Sequence, residues 1–175
     1  MEQSTGSVPP AGLPVLWCWF VVLLCSSCAG VGSPTYIVPD GYSGFLVIRY
    51  DCPDGKTVTP DSPTITFEAN GTACLRGSYS EVNPSAVFAS RAETYRGQSI
   101  PFRGNSIANR QEFALVDIAY KRRGTRTSTG IVRSTFSVLW VGHLDELAAL
   151  QRAGDYEKEL YDFINNNFDL PQPGS

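Results

Sequence analysis

The sequence predicts a mainly β fold: an antiparallel β-sandwich-like sheet domain with C-terminal helices packed on it. Short apolar runs separated by Pro, Asp, Asn and Gly predict the sheet, and apolar residues at helical spacing after His143 predict the helices. The composition suits such a core, since 42% of the 175 residues are hydrophobic and 18% are charged. Residues 36–170 are therefore expected to form a single β-rich domain, with a helical segment at 143–168.

The expected strands follow one another with turn residues between them. They cover residues 36–38, 44–51, 64–68, 72–76, 112–120 and 131–141. Strand 44–51, GFLVIRYD, has apolar side chains on both faces, which predicts a central and well-covered strand. The dipeptide Asn70-Gly71 predicts a hairpin between the third and fourth strands. The stretch 77–109 is rich in Ser, Gly, Asn and Arg and is expected to form long loops.

The segment between the last two expected strands, KRRGTRTSTG, is basic. Its charged residues are Lys121, Arg122, Arg123 and Arg126. These side chains fit either a contact with an anionic lipid or polysaccharide, or the solvated tip of a hairpin. The second interpretation is favoured, because basic residues are common at hairpin tips and the chain has a net charge of −3. That acidic balance also argues against a nucleic-acid partner, whose phosphates would need neutralisation.

Two helices are expected after the last strand. The first has Leu144 and Leu147 on one face and breaks at Gly154. Asp155 is expected to cap the second helix. The apolar face of that second helix comprises Tyr156, Leu160, Phe163 and Ile164.

Residues 13–25, LPVLWCWFVVLLC, form an apolar run near the N-terminus. As a helix this run would be roughly 20 Å long, short of the roughly 30 Å hydrocarbon core of a bilayer, and small residues follow it. This length and ending are typical of a secretory signal peptide, although the preceding residues carry Glu2 and no Lys or Arg. Residues 1–27 are therefore predicted to be a signal peptide.

The sequence of residues 24–30, LCSSCAG, resembles a bacterial lipobox, in which a Leu-rich run ends in small residues and an obligatory Cys. The resemblance implies that a diacylglycerol is attached to the Cys28 thiol, that signal peptidase cuts just before it, and that residues 28–35 form a lipidated tether. Cys25 stands where the family usually has an aliphatic residue. Ala29, by the same resemblance, permits sorting to the outer membrane of a Gram-negative cell. The alternatives are an ordinary signal peptide cut near Ala29 and an uncleaved anchor.

The five cysteines divide along the same boundary. Cys18 and Cys25 would leave with the signal peptide and Cys28 would carry the lipid. Cys52 and Cys74 remain, and an even number of cysteines in an oxidising compartment predicts a disulfide between them. It would close a loop of about 22 residues, which stabilises a fold by roughly 3 kcal/mol. The alternative is a pair of buried free thiols.

A second resemblance lies in the body of the chain. The stretch Tyr36–Gly44, YIVPDGYSG, resembles the opening motif I/V-P-D/E-G-Y/F-x-G of a family of small bacterial lipoproteins that contain a domain of unknown function. Asn70-Gly71 and Trp140–Gly142 match two further elements of that family, whereas Phe45 and His143 stand where it often has Trp and Thr. The resemblance implies an exported, membrane-tethered, β-rich domain and supplies no catalytic residue.

His143 is the single histidine of the chain. Asp145 and Glu146 follow it, so a hydrolytic or metal-dependent site is one hypothesis; the other is that both carboxylates complement the dipole at the start of a helix. The second is favoured, because no nucleophile motif or phosphate-binding loop accompanies the histidine. A surface histidine at a helix start would contradict the enzymatic hypothesis, and a histidine beside carboxylates in a deep pocket would support it.

Two further patterns have a functional and a structural interpretation. Asp40, Asp51 and Asp54 lie at strand ends, and oxygen ligands of this kind bind Ca²⁺ when they converge, but turn formation beside Pro and Gly is the favoured interpretation. Asn70-Gly71-Thr72 matches the N-glycosylation acceptor, which matters only if the chain is a secreted eukaryotic protein.

Together these patterns predict a membrane-anchored bacterial lipoprotein that acts as a non-catalytic binding or structural module of the cell envelope. Its expected partners are the lipid bilayer, through acylated Cys28, and an envelope protein or polysaccharide. No cofactor and no metal are expected. The alternative function is a secreted hydrolase or metal-dependent enzyme that uses His143 with a nearby carboxylate.

Overall fold

The computed structural model describes residues 33–59, 63–82, 90–103, 111–127 and 130–170. These residues belong to one structural unit, Val31–Ser175. The predicted signal peptide, Cys28 and most of the tether lie outside the described residues, and so does the side chain of Arg126. No helix within the described ranges is long and apolar enough to cross a membrane.

The described residues form eight strands and three helices. In chain order they are β1 (Thr35–Val38), β2 (Gly44–Arg49), β3 (Thr64–Thr66), β4 (Thr72–Cys74), α1 (Tyr79–Val82), β5 (Arg91–Thr94), β6 (Ser99–Ile100), β7 (Phe113–Thr127), β8 (Gly130–His143), α2 (Leu144–Ala153) and α3 (Tyr156–Asn167). The fold is therefore mainly β with C-terminal helices, as the sequence predicts.

Two β-arches set the topology of the first half. β1 and β2 belong to different sheets, and so do β3 and β4. Tight turns make each crossing, with Tyr42 N donating to Pro39 O over 3.2 Å and Gly71 N donating to Glu68 O over 2.9 Å. The two arches stack side by side in the same direction, so β1 is parallel to β3 and β2 is parallel to β4. The predicted hairpin at Asn70-Gly71 is wrong, because this turn joins two sheets and not two paired strands.

Each sheet has four strands. Sheet A has the order β3-β1-β5-β6, and sheet B has the order β4-β2-β8-β7. The β5–β6, β2–β8 and β7–β8 pairs are antiparallel, whereas the β1–β5 pair and the pairs made by the arches are parallel. Both sheets are mixed, so the expectation of an antiparallel sandwich is not met. The stacked arches are the physical reason.

Part of the stretch 77–109 is structured and not a long loop. It contains α1, β5 and β6. These elements escape detection in the sequence because they are short: β5 has a single buried residue, Ala92, and β6 has only Ile100. Hydrophobic periodicity needs a longer run than this to be visible.

Sheet B lies between sheet A and the helices. Leu46 and Ile48 of β2 belong to the core shared with sheet A, and Phe45 and Val47 belong to the core shared with α2 and α3. All four are buried, which confirms the prediction of a central strand covered on both faces. Burial of a side chain of this size stabilises the fold by roughly 1.5–3 kcal/mol.

The C-terminal helices agree with the predicted spacing. Leu144, Leu147, Leu160 and Ile164 are buried against sheet B. Gly154 follows α2 with φ of 80°, a left-handed conformation that glycine adopts without steric cost. The predicted cap by Asp155 is wrong in its mechanism, because α3 begins at the next residue but the Asp155 side chain makes no capping hydrogen bond.

A disulfide joins the ends of β2 and β4. Cys52 and Cys74 are bonded with their Cα atoms 5.8 Å apart and a sequence separation of 22. Backbone hydrogen bonds extend the parallel pairing beside it, from Cys52 N to Leu75 O over 2.9 Å and from Lys56 N to Cys74 O over 2.8 Å. The second arch is thereby linked covalently to the first.

Candidate functional site

The face of β8 that packs toward sheet A changes its chemistry along the strand. Alternate residues of a strand share a face, and this face carries, in order, Val141, Leu139, Ser137, Thr135 and Arg133. Val141 and Leu139 belong to the core between the sheets, and Ser137 is still buried. Thr135 is half-buried and Arg133 is exposed. The face therefore passes from aliphatic through hydroxyl to guanidinium groups as it leaves the core.

A β-bulge in β7 decides which of its basic residues join this face. The β7–β8 ladder shifts register by one residue just before Ala119. Beyond the bulge, Arg122 lies opposite Thr135 and Gly124 lies opposite Arg133. Residues directly opposite each other share a face, so both arginines and the glycine lie on the same side of sheet B.

The basic residues whose side chains the structure describes therefore belong to β7 and not to a loop. β7 continues through Lys121, Arg122 and Arg123, which lie in the strand and not at the tip of the hairpin. Lys121 pairs with Glu157 of α3 over 2.8 Å, and Arg123 Nη1 donates a hydrogen bond to Asn165 Oδ1 of the same helix. Lys121 and Arg123 thus point to the helix side of sheet B.

A cleft of about 590 Å³ opens where the arginine-bearing face leaves the core. The β7–β8 hairpin contributes Arg122, Arg123, Gly124, Arg133 and Thr135 to its lining. The remainder of the lining is Asp51 together with Ser78, Tyr79 and Ser80 around the start of α1. Arg122 and Arg133 lie against a single aspartate here and make the cleft cationic, although the chain has a net charge of −3; the guanidinium of Arg123 is on the other side of the sheet. The volume is in the range of small-molecule sites.

Asp51 is held at the rim of the cleft by an uncommon backbone conformation. Its φ is 57°, in the left-handed region that Asp and Asn tolerate better than other side chains do. Its N–H donates to Gly77 O over 3.2 Å. The adjacent Cys52 carries the disulfide, so the covalent link between the arches also supports this rim.

The wall at the start of α1 is a capping box. In Ser78-x-x-Glu81 the Ser78 N–H donates to Glu81 Oε2 over 2.7 Å. This backbone hydrogen bond, followed by one from the Ser78 hydroxyl, lowers the pKa of the Glu81 carboxyl. The Ser78 and Ser80 hydroxyl oxygens lie 3.1 Å apart and share a hydrogen bond. The sequence carries this signal, S-x-x-E, within a stretch whose composition otherwise predicts a loop.

Tyrosines lie in and behind the cleft: Tyr79 lines it, and Tyr50 is buried behind it. The Tyr50 hydroxyl and Ser137 Oγ are 3.0 Å apart, and the ring of Tyr79 meets that of Tyr50 edge-on at 5.4 Å between centroids. Burial raises the pKa of Tyr36 above its ordinary value, and burial likewise raises the pKa of Asp117. The cleft therefore ends on a polar layer within the space between the sheets.

His143 is exposed and lies outside the cleft lining. It precedes α2 in an extended conformation, its Nδ1 is 3.3 Å from Gln111 O, and its ring contacts Phe113 edge-on. Asp145 and Glu146 lie in the first turn of α2. His143 therefore occupies a surface position at the start of a helix.

The three aspartates considered for calcium have separate environments. Asp40 pairs with Arg96 over 3.4 Å, Asp51 lines the cleft, and Asp54 is exposed in a turn. Among the described residues no three His, Cys, Asp or Glu side chains form a group that could hold a metal ion.

The motif residues that carry the family resemblance meet at the opposite end of sheet B, called here the arch end (Tyr42–Phe45, Asn70-Gly71 and Trp140–Gly142). The Tyr42 hydroxyl donates to Phe45 O over 2.6 Å and packs directly on Gly71, and burial raises the pKa of Tyr42 to about 12. A Cβ on Gly142 would lie 2.5 Å from Ser43 Oγ. Close packing occupies this end, so the motif residues have a structural role here.

Asn70 also serves the turn at the arch end. Its Oδ1 accepts hydrogen bonds from Thr72 Oγ1 over 2.8 Å and from Thr72 N over 3.2 Å. Its Nδ2 donates to Asn167 Oδ1 over 3.0 Å. The side chain considered as a glycosylation acceptor is thus engaged in holding the turn against α3.

Comparison with known proteins leaves the site to be interpreted from its own residues. No family model matches the chain, and no curated protein matches it. A crystal structure of a Bacillus anthracis protein named as a candidate lipoprotein resembles part of the chain, with 17% identity and a TM-score of 0.41; the match covers 63% of this chain and 69% of that one.

Proposed function

We propose that the chain is a lipid-anchored protein of a bacterial cell envelope, whose β-rich domain is a non-catalytic binding or structural module. In this proposal residues 1–27 are removed on export, a diacylglycerol on Cys28 holds the protein at the membrane, and the residues between Cys28 and the start of β1 at Thr35 tether the domain. The observation that carries the proposal is the disulfide between Cys52 and Cys74. Disulfides persist in oxidising compartments outside the cytosol, which is where a lipobox would deliver the chain.

The anchor follows from the energetics of acyl chains. Each buried CH₂ contributes about 0.8 kcal/mol, and a single chain gives only reversible membrane binding, so stable attachment needs two. A diacylglycerol on Cys28 supplies both. Ala29 after the lipidated cysteine favours sorting to the outer membrane where the host is Gram-negative.

The cleft supports a binding role for the domain. Its charged groups are mainly guanidinium groups, which stay protonated at every physiological pH. Such groups recognise anions and do not exchange protons with a substrate. His143, the residue on which the alternative enzymatic function depends, is exposed and lies outside the cleft lining.

Metabolic labelling with a tagged palmitate in a bacterial host tests the anchor. The wild-type chain and a Cys25→Ser variant are expected to incorporate label and to partition into detergent, because both keep Cys28. A Cys28→Ser variant is expected to incorporate none. The Cys25→Ser variant is the matched control, since it removes a thiol from the same segment.

Equal labelling of the Cys28→Ser and wild-type chains would contradict lipidation at Cys28. Absence of label from all three chains, with the protein recovered in the soluble fraction, would contradict the lipoprotein proposal as a whole. The domain would then be an exported protein without an anchor, or one that stays in the cell.

A further inference from the structure

We propose that the cleft formed by Asp51, the start of α1 and the β7–β8 hairpin binds a phosphate ester that also carries free hydroxyl groups. The phosphate lies against Arg122 and Arg133, and a ligand hydroxyl lies against Asp51. This inference extends the proposed binding role to a class of ligand, and it does not depend on whether Cys28 is acylated.

The positions of the two arginines are the first reason. Arg122 lies opposite Thr135 and Arg133 lies opposite Gly124, so the two arginines are diagonal neighbours on one face. Diagonal neighbours in an antiparallel pair are roughly 7–8 Å apart, which lets both guanidinium groups reach one anion.

The protein itself supplies little to neutralise Arg133. Arg133 is exposed and makes no ion pair with a carboxylate in the part of the chain that the structure describes. Asp51 lines the same cleft without pairing with it. By contrast, Lys121 on the other side of sheet B pairs with a glutamate of α3.

The number of donors favours phosphate over carboxylate. One guanidinium fork satisfies the two oxygens of a carboxylate, whereas a phosphate group presents three or more oxygens and engages two arginines at once. Thr135 adds a half-buried hydroxyl directly opposite Arg122. The absence of a side chain at Gly124, opposite Arg133, leaves space above the floor of the cleft.

Asp51 indicates which chemical group the ligand carries at the end away from its phosphate. A carboxylate repels the phosphate, so it marks the end of the cleft where the ligand must be neutral and must donate hydrogen bonds. A hydroxyl group meets both conditions. The positive φ of Asp51 keeps this carboxylate at the rim, and the aromatic ring of Tyr79 lines the same wall. The cleft of about 590 Å³ holds a ligand of this size.

Calorimetric titration of the full-length protein in detergent tests the proposal, with glycerol 3-phosphate, inorganic phosphate and glycerol as probes. Glycerol 3-phosphate is expected to bind tightest, inorganic phosphate more weakly, and glycerol not at all. Binding is expected to weaken as salt is added. Equal binding of glycerol and glycerol 3-phosphate would overturn the proposal.

Three substitutions test whether Arg133 contacts the phosphate. Arg133→Met keeps the length of the side chain without its charge and is expected to weaken glycerol 3-phosphate binding about tenfold or more. Arg133→Lys, which keeps the charge but loses the fork, is expected to weaken binding by a smaller factor. Arg152→Met removes the same charge from α2 and is the matched control, with affinity unchanged. Equal affinities for Arg133→Met and Arg152→Met would overturn the proposal.

Asp51→Asn tests the hydroxyl contact, because Asn tolerates the same backbone conformation. It is expected to abolish the preference for glycerol 3-phosphate over inorganic phosphate without weakening inorganic phosphate. Loss of binding to both probes would contradict the assigned role of Asp51. Glycerophosphoglycerol, a diester, then identifies the source: tighter binding than glycerol 3-phosphate indicates a lipid headgroup or polymer, and weaker binding indicates a free monoester.

Discussion

The two ends of sheet B are built on opposite principles, although the same strands, β2 and β8, run through both. At the arch end, small residues bring the backbones of the turns so close that added atoms have no space: a Cβ on Gly71 would lie 2.7 Å from Phe45 O. At the cleft end, a Cβ on Gly124 would meet a single one of the described side chains, Ile131, at 3.4 Å. Close packing therefore restricts the residues at the arch end, whereas open space and charged side chains characterise the cleft end.

This difference separates structural from functional residues. The stretch Pro39–Gly44, with its Pro-Asp-Gly turn, is the most distinctive sequence pattern of the domain, yet it lies at the closely packed end. Apart from the capping box at Ser78, the cleft residues match no motif. A strongly patterned stretch therefore need not mark a site, because tight turns restrict residue choice as strictly as ligand binding does.

The disulfide belongs to the cleft end. Cys52 directly follows Asp51, which lines the cleft, and its bond to Cys74 links the two arches. The chain segments at this end are therefore joined covalently as well as by packing.

The largest effect is expected from removal of this bond. A Cys52→Ala/Cys74→Ala double variant is expected to lose about 3 kcal/mol of unfolding free energy, because the closed loop of 22 residues no longer restricts the unfolded chain. Urea unfolding measures this loss, and reduction of the wild-type protein is the matched control. A loss below about 1 kcal/mol would show that packing alone holds the cleft end.

The next effect concerns packing at the arch end. Gly71→Ala is expected to cost about 2–3 kcal/mol, from a left-handed backbone and from overlap with the Tyr42 ring. Gly97→Ala has nearly the same φ, 77° against 80°, but its Cβ meets no atom within 4 Å. It is expected to cost only about 1 kcal/mol. Equal losses in thermal unfolding would remove the contrast between the two ends.

The smallest effect concerns the layer behind the cleft. Burial raises the pKa of Asp117 above its ordinary value of 3.8. The folded state then holds this proton more tightly, so the associated stability is fully present below the ordinary pKa and is lost as pH rises through the raised pKa. Asp117→Asn is expected to stabilise the protein at neutral pH by roughly 1 kcal/mol.

Unfolding of Asp117→Asn and of the wild type, measured between about pH 4 and pH 7, checks this sign. The difference between the two chains is expected to shrink as the pH falls. A difference that grows on acidification would mean that the Asp117 carboxylate is stabilised by a partner and not penalised by burial.

Much of the fold follows from local patterns. The alternation along β2 and the helical spacing after His143 are long enough to identify their elements and their buried faces. Pairing is not local: an Asn-Gly turn marks a reversal of the chain, but whether the strands on either side pair or cross between sheets depends on the neighbouring arch. The mixed sheets could not be derived from the turn residues for this reason.

Part of the cleft could be predicted from the sequence. Arg133, Thr135 and Ser137 stand at alternate positions of β8, so their common face follows from the strand itself. Whether Arg122 or Arg123 of β7 lies on that face could not be predicted, because it depends on the bulge before Ala119. Nothing in the residue types of β7 marks that shift of register.

The intact mass of the membrane-extracted protein, before and after reduction, tests the account most directly. The expected species begins at Cys28, carries the mass of its acyl groups, and gains the mass of two hydrogens on reduction because a single Cys52–Cys74 bond opens. A species that retains residues 1–27 and carries no lipid would contradict the envelope lipoprotein account.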